Sequence, residues 1–514
     1  MNVALLHYHL NPGGVTRVMA NHLLALDLAC PAGERIRVAI LFDGQKQGWP
    51  DDVDAQLQNV DVTYLPVQEL AYDVDDRPDP DALAAALTQA FADADFPAGE
   101  TIIHAHNHAL GKNASLPGAL ARLAEQGTPL LLQVHDFAED FRPRNYGHLR
   151  AALGSEGLSV RLYPQGTQVH YAALNRRDQD ALRTLGVAED RLHFLPNPVP
   201  PLPERPPREE ARAALERAFG IGADQPYVLY PVRGIRRKNL GEFVLLSQVL
   251  QRQQPDVFFG LTLAPLNPHE RRFYDRWAEV VRQHNLPCHL ETGGEGGLTF
   301  AQNLAAADRI VTTSVAEGFG MVYLEAWLAD RLLVGRNLPE ITADFDASGL
   351  KLDQLYDHLF VPIDWIGRDA YARALGEAWT TLCSVYGRPE PSREQLDAAV
   401  EGHLQGESID FGDLNEAQQE SVIERLAGDP AASDQLFELN PSLGSFTEEP
   451  KEIVAANREV VEREYALTPS GERLISIYSD VLGSERQARL TGPDDGDRLL
   501  ELFLDGRRIR LIRD

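Results

Sequence analysis

Residues 309–325 read RIVTTSVAEGFGMVYLE, in which an apolar run passes through a glycine-containing loop into residues with helical spacing. The first six residues are rich in β-branched side chains and predict a buried strand. The two glycines predict a turn, and the stretch from Val322 onward predicts a helix. A strand that leads through a short loop into a helix is the repeating unit of parallel α/β sheets. This stretch therefore predicts a parallel sheet in the part of the chain around it.

The same alternation continues on both sides of this unit. Strand-like runs before residue 197 are VALLHY, RVAILF, DVTYLP, TIIHAH, PLLLQVHDF, QVHYAALN and RLHFLP, and those after it are PYVLYPV, FFGLTLAP, PCHLETG, RIVTTS and RLLVGR. Between the two series lies NPVPPLPERPPREEARA, whose six prolines predict a linker because proline blocks both ladder and helix hydrogen bonds. The sequence therefore predicts an α/β protein of two lobes, with loops at the strand ends projecting into a cleft between them.

Composition fits a folded protein of two to four domains. The chain has 514 residues, of which 44% are hydrophobic and 24% are charged. Its three cysteines, Cys30, Cys288 and Cys383, exclude a disulfide framework and a Cys-x-x-Cys site. No apolar run reaches the roughly 20 residues of a membrane span, and MNVALLHYHL lacks the basic start of a signal peptide. A cytoplasmic location is the expectation.

The net charge of −29 argues against binding to nucleic acid or to anionic membranes, because both need clustered Lys and Arg. Nearly all of the basic residues are arginines, and the five lysines are Lys46, Lys112, Lys238, Lys351 and Lys451. A GC-rich genome and a salt-adapted proteome explain this bias equally well. Neither reading bears on the fold.

The acidity is concentrated in residues 388–449, where LNEAQQESVIERLAG and PAASDQLFELN have helical spacing. Asp413 and Asp429 are candidate N-caps for these helices. We expect a solvated helical insertion that lies apart from any site for an anionic ligand. A docking surface for a partner is the alternative. The resulting domain boundaries are 1–200 for the first lobe, 201–387 for the second, 388–454 for the insertion, 455–485 for helices that return to the first lobe, and 486–514 for a tail.

Two loops suit a ligand that carries phosphate. Gly13 and Gly14 follow the first predicted strand, and paired glycines at a helix start let a backbone approach an anion closely. The G-x-G-x-x-G spacing of dinucleotide sites is absent, and a tight turn without a ligand is the alternative. Arg233 and Lys238 follow the first strand of the second lobe, where two cations suit a diphosphate. An exposed basic turn is the alternative here.

The loop of residues 313–325 completes this set. Gly318, Phe319 and Gly320 open a predicted helix, and its backbone N–H groups suit phosphate or sugar hydroxyls. Glu317 and Glu325 lie two helical turns apart, so both can face the same ligand and accept hydrogen bonds from sugar hydroxyls. The alternative is a helix whose dipole favours acidic residues at its start.

Together these elements resemble the retaining nucleotide-sugar glycosyltransferases of family four, which have the GT-B fold of two Rossmann-like lobes. The resemblance covers about residues 1–345 and 455–485. It rests on the Gly-Gly loop, on HAH at 104–106, on VHD at 134–136, on Asn197-Pro198, on the Arg233 to Lys238 spacing and on EGFG with seven residues between the first and the second glutamate. The last of these is the most specific. The prolines after Asn197, the asparagine at 175, the acidic segment and the tail depart from the family pattern.

The resemblance implies a role for each matching residue. The implied catalytic residues are His135, Arg233, Lys238 and Glu317. The implied donor-binding residues are Gly13, Gly14, Arg233, Lys238, Glu317, Gly318, Phe319, Gly320 and Glu325. The resemblance further implies retention of the anomeric configuration and no cofactor beyond the nucleoside diphosphate sugar, because the cation pair takes the place of a metal ion.

A metal site is not expected from the sequence. His104, His106 and His108 alternate at a strand end, but no cysteine or carboxylate completes a ligand set. The Asp-x-Asp pairs at 73/75, 79/81 and 93/95 lie in polar stretches and predict solvated surface.

The expected function is transfer of a hexose to a small soluble acceptor, with the first lobe as the acceptor side. His106, Arg142 and Arg144 are the candidate acceptor residues, and the two arginines suit one carboxylate or phosphate. Pairing of these arginines with Glu139 and Asp140 is the alternative. An epimerase, a phosphorylase and a catalytically inactive sugar-nucleotide-binding or assembly protein are rival functions. The donor base, the linkage and the oligomeric state are left open.

Overall fold

The chain forms two units, each built around its own sheet. The structure is a computed structural model that describes residues 1–75, 77–447, 451–493 and 497–513. Unit 1 comprises Met1–Pro200, Leu382–Arg388 and Glu462–Leu504, and unit 2 comprises Pro201–Thr381, Pro389–Val461 and the chain from Asp505 onward. Among the described residues, no helix is long and apolar enough to cross a lipid bilayer.

The first 200 residues supply the sheet of unit 1 and most of its helices. The strands are β1 (Asn2–Leu6), β2 (Ile36–Phe42), β3 (Val60–Pro66), β4 (Thr101–His106), β5 (Leu130–Val134), β6 (Val169–Ala173) and β7 (Leu192–Phe194). The helices are α1 (Gly14–Ala29), α2 (Val53–Gln56), α3 (Pro80–Asp93), α4 (Leu116–Glu125), α5 (Pro143–Leu153), α6 (Leu158–Leu162) and α7 (Arg176–Thr184).

The seven strands of unit 1 form one parallel sheet in the order β3-β2-β1-β4-β5-β6-β7. β1, β4 and β5 are almost wholly buried, which explains why they are continuous apolar runs and do not alternate with polar residues. The chain leaves β1 toward β2 on one side and later returns to place β4 on the other. The carboxyl ends of β1 and β4 therefore form a topological switch point, where open sheets bind ligands.

The second sheet and its helices come from residues 208–356. The strands are β8 (Tyr227–Arg233), β9 (Phe258–Leu263), β10 (Cys288–His289), β11 (Arg309–Thr312), β12 (Leu332–Arg336) and β13 (Leu355–Tyr356). The helices are α8 (Arg208–Phe219), α9 (Leu240–Leu250), α10 (Pro268–Gln283), α11 (Phe300–Ala306), α12 (Val322–Leu328) and α13 (Pro339–Ser348).

The sheet of unit 2 is also parallel and has the order β10-β9-β8-β11-β12-β13. Its switch point lies between β8 and β11, because the chain runs from β8 to β9 on one side and from β11 to β12 on the other. All twelve strands predicted from the sequence are present, and the α/β class is confirmed. The short strand β13 was not predicted, because two residues are too few to carry a pattern.

The rest of the chain adds a small antiparallel sheet and further helices. The strands are β14 (Phe360–Pro362), β15 (Leu404–Gln405) and β16 (Ser408–Asp410), in the order β14-β16-β15. The helices are α14 (Arg368–Tyr386), α15 (Arg393–His403), α16 (Glu416–Gly428), α17 (Pro430–Leu439), α18 (Lys451–Glu464), α19 (Leu467–Gly483) and α20 (Asp497–Phe503).

The acidic segment 388–449 is thus partly helical and partly a hairpin, and its Glu448 and Glu449 lie outside the described residues. Asp429 caps α17 by accepting a hydrogen bond from the Ala431 N–H, as predicted. Asp413 does not cap α16. Asn415 does so in a capping box with Gln418, because Asp413 is engaged by His403 and Arg510.

The returning helix α19 packs on α1 in the core of unit 1. The two helices approach closely at Gly471, where a Cβ atom would lie 2.0 Å from the Ala25 carbonyl oxygen. Leu474, Ile477 and Tyr478 of α19 are buried in the same hydrophobic cluster as Leu23 and Leu26 of α1. The late segment of the chain therefore completes the core beneath the first βα loop.

Candidate active site

The carboxyl ends of β8 and β11 bring together the residues predicted to bind a diphosphate sugar. Arg233 ends β8, Lys238 lies in the 3-10 turn Arg236–Lys238 that follows, and Glu317 lies in the loop after β11. The Val315 N–H donates to the Arg237 carbonyl oxygen at 3.0 Å, which ties the two loops together. We call this group of residues, with Gly318–Gly320 and Glu325, the donor half-site.

Its central contact is an ion pair between the Lys238 ammonium and the Glu317 carboxylate. Only 13% of the Lys238 side chain and 6% of the Glu317 side chain are exposed, so the pair is largely removed from water. The Ser314 hydroxyl donates to Glu317 Oε1 at 2.6 Å, and the Tyr230 and Ser314 hydroxyl oxygens lie 2.6 Å apart. The Glu317 carboxylate is therefore fixed by the Lys238 ammonium and the Ser314 hydroxyl. A second cation is near, because Arg237 Nη1 lies 3.7 Å from Glu317 Oε2.

Burial and the neighbouring charges act in opposite directions on the pKa values of Lys238 and Glu317. Burial alone raises the pKa of Glu317, but the charges of Lys238 and Arg237 and the hydrogen bonds from Lys238 and Ser314 outweigh it, and the pKa is lowered. Burial lowers the pKa of Lys238, while the charges of Glu317 and Glu325 act in the opposite direction. The effect of Glu325 on Lys238 indicates that both glutamates lie near the ammonium.

The other predicted donor residues have local roles as well. The Arg233 guanidinium donates to the Ala264 carbonyl oxygen at 2.7 Å, which holds it against the end of β9. Phe319 is buried and meets Phe345 edge-on at 5.6 Å. Gly320 has a φ of +83°, and a Cβ atom there would lie 2.8 Å from the Tyr323 ring, so the turn requires glycine. Glu325 lies in the first turn of α12, the helix that follows Gly320.

Part of the acidic segment is buried against the turn that carries Lys238, so the expectation of a wholly solvated insertion is wrong. Glu416 accepts two hydrogen bonds from the Arg236 guanidinium, at 2.6 and 3.1 Å. The Gln419 amide donates to Asn239 Oδ1 at 2.9 Å, and Asn239 has a left-handed φ of 51°. Acidic side chains were expected to be solvated, but these are held by arginines of unit 2. They therefore support the turn that carries Lys238.

The second group of predicted residues lies in unit 1, at the carboxyl ends of β1, β4 and β5. Gly13 is extended, with φ −176°, and α1 begins at Gly14. A Cβ atom at Gly14 would meet nothing within 4 Å, and one at Gly13 would meet only the Asn11 carbonyl oxygen, 3.8 Å away. Packing within the protein therefore does not require these glycines, which leaves room for a close approach by a ligand.

His106 and His135 lie next to each other at the ends of β4 and β5. Their ring nitrogens, His106 Nδ1 and His135 Nε2, are 2.9 Å apart. Asn107 accepts hydrogen bonds from the N–H groups of His135 and Asp136, at 2.7 and 3.0 Å, and so fixes the turn after β5. Burial lowers the pKa of His135 to about 4, with Asp136 acting in the opposite direction. The imidazole is therefore neutral at physiological pH and acts through hydrogen bonds.

The arginines predicted to bind an acceptor differ in their surroundings. Arg142 forms an ion pair with Asp136, and its N–H donates to the Tyr386 hydroxyl at 2.7 Å. The alternative pairing of Arg142 with Glu139 or Asp140 is not the one seen. Glu139 accepts a hydrogen bond from Tyr163, and Arg177 lies 3.4 Å from Asp140. Arg144 is exposed on the first turn of α5.

Sequence reasoning missed Lys112, which lies in the same part of unit 1. Its ammonium lies 5.3 Å from the centre of the Tyr72 ring. Burial lowers the pKa of Lys112, and so does the charge of Arg142. Among the described residues, no carboxylate lies within ion-pair distance of it. A half-buried lysine without an acidic partner is informative in a chain of charge −29, and the scarcity of lysine was the available signal.

Comparisons with known proteins identify the fold. Mannosylglucosyl-3-phosphoglycerate synthase of Petrotoga mobilis is 26% identical to this chain over 372 residues, which are 70% of this chain and 69% of that protein. Sucrose-phosphate synthase of Thermosynechococcus elongatus matches 94% of this chain and 99% of its own, with a TM-score of 0.52 and 15% identity. Anabaena HepE in complex with UDP and glucose matches 93% of this chain and 99% of its own, with a TM-score of 0.50 and 16% identity.

The chain has the GT-B fold and resembles glycosyltransferases of that fold. The predicted resemblance to the GT-B glycosyltransferases of family four is thereby confirmed. No known family profile matches the sequence of this chain. Its two parallel sheets of seven and six strands are the sheets of the two Rossmann-like lobes.

Proposed function

We propose that this chain is a glycosyltransferase that moves a hexose from a nucleoside diphosphate sugar to a small soluble acceptor that carries a carboxylate or a phosphate, with retention of the anomeric configuration. The observation that carries the proposal is the buried pair of Lys238 and Glu317 at the switch point of unit 2. UDP and glucose are bound by Anabaena HepE, and the Petrotoga mobilis relative is named for a phosphoglycerate, which supports both substrate classes.

In this proposal Lys238 and Arg233 hold the donor diphosphate. Lys238 is charged, largely buried and fixed by Glu317, so it can meet a developing phosphate charge without reorganisation of solvent. The diphosphate replaces Glu317 as the main counter-charge of Lys238. Glu317 is then available to accept hydrogen bonds from the sugar hydroxyls, and Glu325 to accept those from the ribose.

In the transfer step the acceptor attacks the anomeric carbon from the same face of the sugar ring from which the diphosphate leaves. The acceptor hydroxyl oxygen forms a bond to the anomeric carbon as the bond from that carbon to the diphosphate oxygen breaks. The acceptor proton passes to the leaving diphosphate, and the products are the glycoside and the nucleoside diphosphate. His135, held by Asn107 and His106, is proposed to contact the sugar, and Gly13 and Gly14 to border the diphosphate and the acceptor.

The decisive experiment pairs binding with turnover. Thermal unfolding is measured with UDP-, GDP- and ADP-sugars, since a donor at 100 times its dissociation constant adds about 2.7 kcal/mol to the stability. The stabilising donor is then incubated with sugar phosphates, sugar acids and 3-phosphoglycerate, and the anomeric configuration of the product is read by NMR. Stabilisation without product or donor hydrolysis would instead favour the alternative, a catalytically inactive sugar-nucleotide-binding or assembly protein.

The Gly14 position offers a test of the first loop. Gly14→Ala should leave the melting temperature unchanged, because its Cβ atom meets no protein atom within 4 Å. Turnover should fall at least about 10-fold if a ligand approaches the backbone there, since a small misplacement of the reacting groups is costly. Gly99→Ala is the matched control, because Gly99 is also exposed and uncrowded. Equal turnover in the two variants would contradict the role of the loop.

We propose that the diphosphate is held without a divalent ion, because Arg233 and Lys238 supply the positive charge. Turnover of the protein as purified should therefore change less than about twofold when Mg²⁺ or Mn²⁺ is added or when EDTA is present during the assay. Strict dependence of turnover on one of these two ions would contradict this part of the mechanism.

Substitution of the basic residues on the acceptor side is expected to raise the Michaelis constant for the acceptor. Lys112→Met, Arg142→Ala and Arg144→Ala should each raise the acceptor KM, by about 10-fold where the contact is direct, while hydrolysis of the donor in the absence of acceptor stays the same. Lys46→Met is the matched control for Lys112, because the Lys46 ammonium also lies over a tyrosine ring, 4.9 Å from the centre of Tyr64. An unchanged acceptor KM in all three variants would exclude this anion site.

A further inference from the structure

Three histidines form a buried cluster in unit 1, and of these the proposed reaction uses only His106, which holds His135. His22 lies on α1, and His104 and His106 lie on β4, two residues apart on one face of the sheet. All three side chains are fully buried, with 0% exposure. Each offers one ring nitrogen such that all three nitrogens lie within 4.8 Å of one another. We call this group the three-histidine cluster.

The cluster contains buried polar atoms that the protein itself does not satisfy. Among the described residues, neither ring nitrogen of His22 has a hydrogen-bond partner, and His106 Nε2 has none either. A buried polar group without a partner costs roughly 1–3 kcal/mol, so such groups are uncommon in folded proteins. Three of them at one place, all from the same kind of side chain, indicate that something else completes the cluster.

The three rings lie close to one another, with centroid separations of 4.4 Å for His104 and His106 and 5.4 Å for His22 and His104.

The outer contacts are those of metal-binding histidines, whose second nitrogen usually bonds to a neighbouring group. His106 Nδ1 is 2.9 Å from His135 Nε2, and among the described residues its Nε2 has no hydrogen-bond partner. His104 is 3.0 Å from Gln133 Oε1 through Nε2 and 2.8 Å from the Tyr478 hydroxyl through Nδ1. Binding of an ion by His104 requires one of these two contacts to be given up, while the other orients the ring.

The distances are compatible with closure around a small cation. Zinc binds histidine nitrogens at about 2.0–2.1 Å in a tetrahedron, so its nitrogen ligands lie about 3.4 Å apart. The donor atoms of the cluster, now within 4.8 Å, would have to approach by at most about 1.4 Å. The Tyr478 hydroxyl beside His104 is an oxygen available for the fourth position.

We propose that His22, His104 and His106 hold one zinc-like divalent cation that fastens α1 to β4. The ion is structural, and it is separate from the diphosphate-binding residues in unit 2. It sets the position of α1, at whose start Gly14 lies, and a metal bond at His106 Nε2 makes Nδ1 the donor toward His135. The proposal does not depend on the identity of the donor sugar or the acceptor.

The test uses the full chain without a histidine tag, purified in the absence of added metal. Elemental analysis should find about one zinc per chain. After the metal is stripped with a chelator, one equivalent of Zn²⁺ should raise the melting temperature by about 5 °C or more. Co²⁺ should give the visible absorption bands of a tetrahedral nitrogen site. If the metal-free protein takes up neither Zn²⁺ nor Co²⁺, the proposal is wrong. A buried water molecule would then be the partner of the His22 nitrogens.

Variants locate the ion. His22→Leu should abolish the Zn²⁺-dependent shift and the Co²⁺ bands, and His104→Leu should do the same. His108→Leu is the matched control, because His108 is as buried as the others but its Nε2 contacts the Leu162 carbonyl oxygen at 2.9 Å. Co²⁺ bands that persist in His22→Leu would overturn the assignment. The spectra of the wild-type protein test the site even if a variant fails to fold.

Discussion

Lys238→Ala is expected to lower turnover by about 100-fold or more, because it removes a preorganised charge from the place where the leaving diphosphate becomes more negative. The loss should appear mainly in kcat, since the charge on the diphosphate grows as the bond to the sugar breaks. The measurement is steady-state kinetics with the stabilising donor. Lys351→Ala is the control, because Lys351 is an exposed lysine of the same unit.

Loss of Lys238 also leaves Glu317 without its partner in a buried place, so a folding defect has to be separated from a catalytic one. The double variant Lys238→Met with Glu317→Gln keeps the shape of the pair and removes both charges. It should recover the melting temperature of the wild type and stay as inactive as Lys238→Ala. Full activity in the folded double variant would exclude the donor half-site.

Arg336→Met is expected to destabilise unit 2 by about 3–5 kcal/mol, the usual result of leaving buried charges uncompensated. Arg336 is 3% exposed and lies between two acidic side chains. It is 2.5 Å from Glu242 Oε2 and 2.7 Å from Asp410 Oδ1, and the Tyr356 hydroxyl donates to Glu242 Oε1 at 2.8 Å. The Arg336 charge lowers the pKa of Asp410 despite its burial.

Urea unfolding followed by tryptophan fluorescence measures this loss, because four of the five tryptophans lie in unit 2. Arg35→Met should have no measurable effect, since the Arg35–Asp61 pair is exposed to solvent. Replacement of Arg336, Glu242 and Asp410 together by apolar residues should restore much of the stability. An unchanged unfolding midpoint in Arg336→Met would show that the triad contributes nothing.

The strands could be predicted because they are buried on both faces. A fully buried parallel strand must be apolar along its whole length, and that pattern is local in the sequence. The loops at the switch points could be predicted for a similar reason. Gly320 needs a left-handed φ and has no room for a Cβ atom, so its glycine is dictated by the turn.

Contacts between distant residues could not be predicted in the same way. The sequence shows Glu317 and Lys238 as separate charges, and only the pairing of β8 with β11 brings them into contact. Glu317 was interpreted as a ligand for sugar hydroxyls alone, but in the absence of a ligand it also neutralises Lys238. His22 gave no signal, because a single histidine in an apolar helix looks like core packing until its neighbours on β4 are known.

The acidic segment shows a second limit. Its composition correctly predicted helices. The sequence does not show, however, whether an acidic side chain is solvated or is paired in the fold with an arginine from a distant part of the chain. Glu416, Asp410 and Asp413 meet Arg236, Arg336 and Arg510, which lie far away in the chain. The excess of arginine over lysine is therefore partly explained by buried and half-buried pairs that use its planar, five-donor group.

The anchoring of the turn around Lys238 has a consequence for biosynthesis. Arg236 donates to the Leu511 carbonyl oxygen at 3.1 Å as well as to Glu416, so the support of this turn comes from residues made much later. At about 5–20 residues per second, the ribosome needs roughly 14–55 s to travel from Arg236 to Leu511. During the first part of that interval the turn between β8 and α9 lacks both partners, and after Glu416 has been made it still lacks the Leu511 carbonyl oxygen. The nascent chain therefore cannot complete the support of this turn until these later residues have been made.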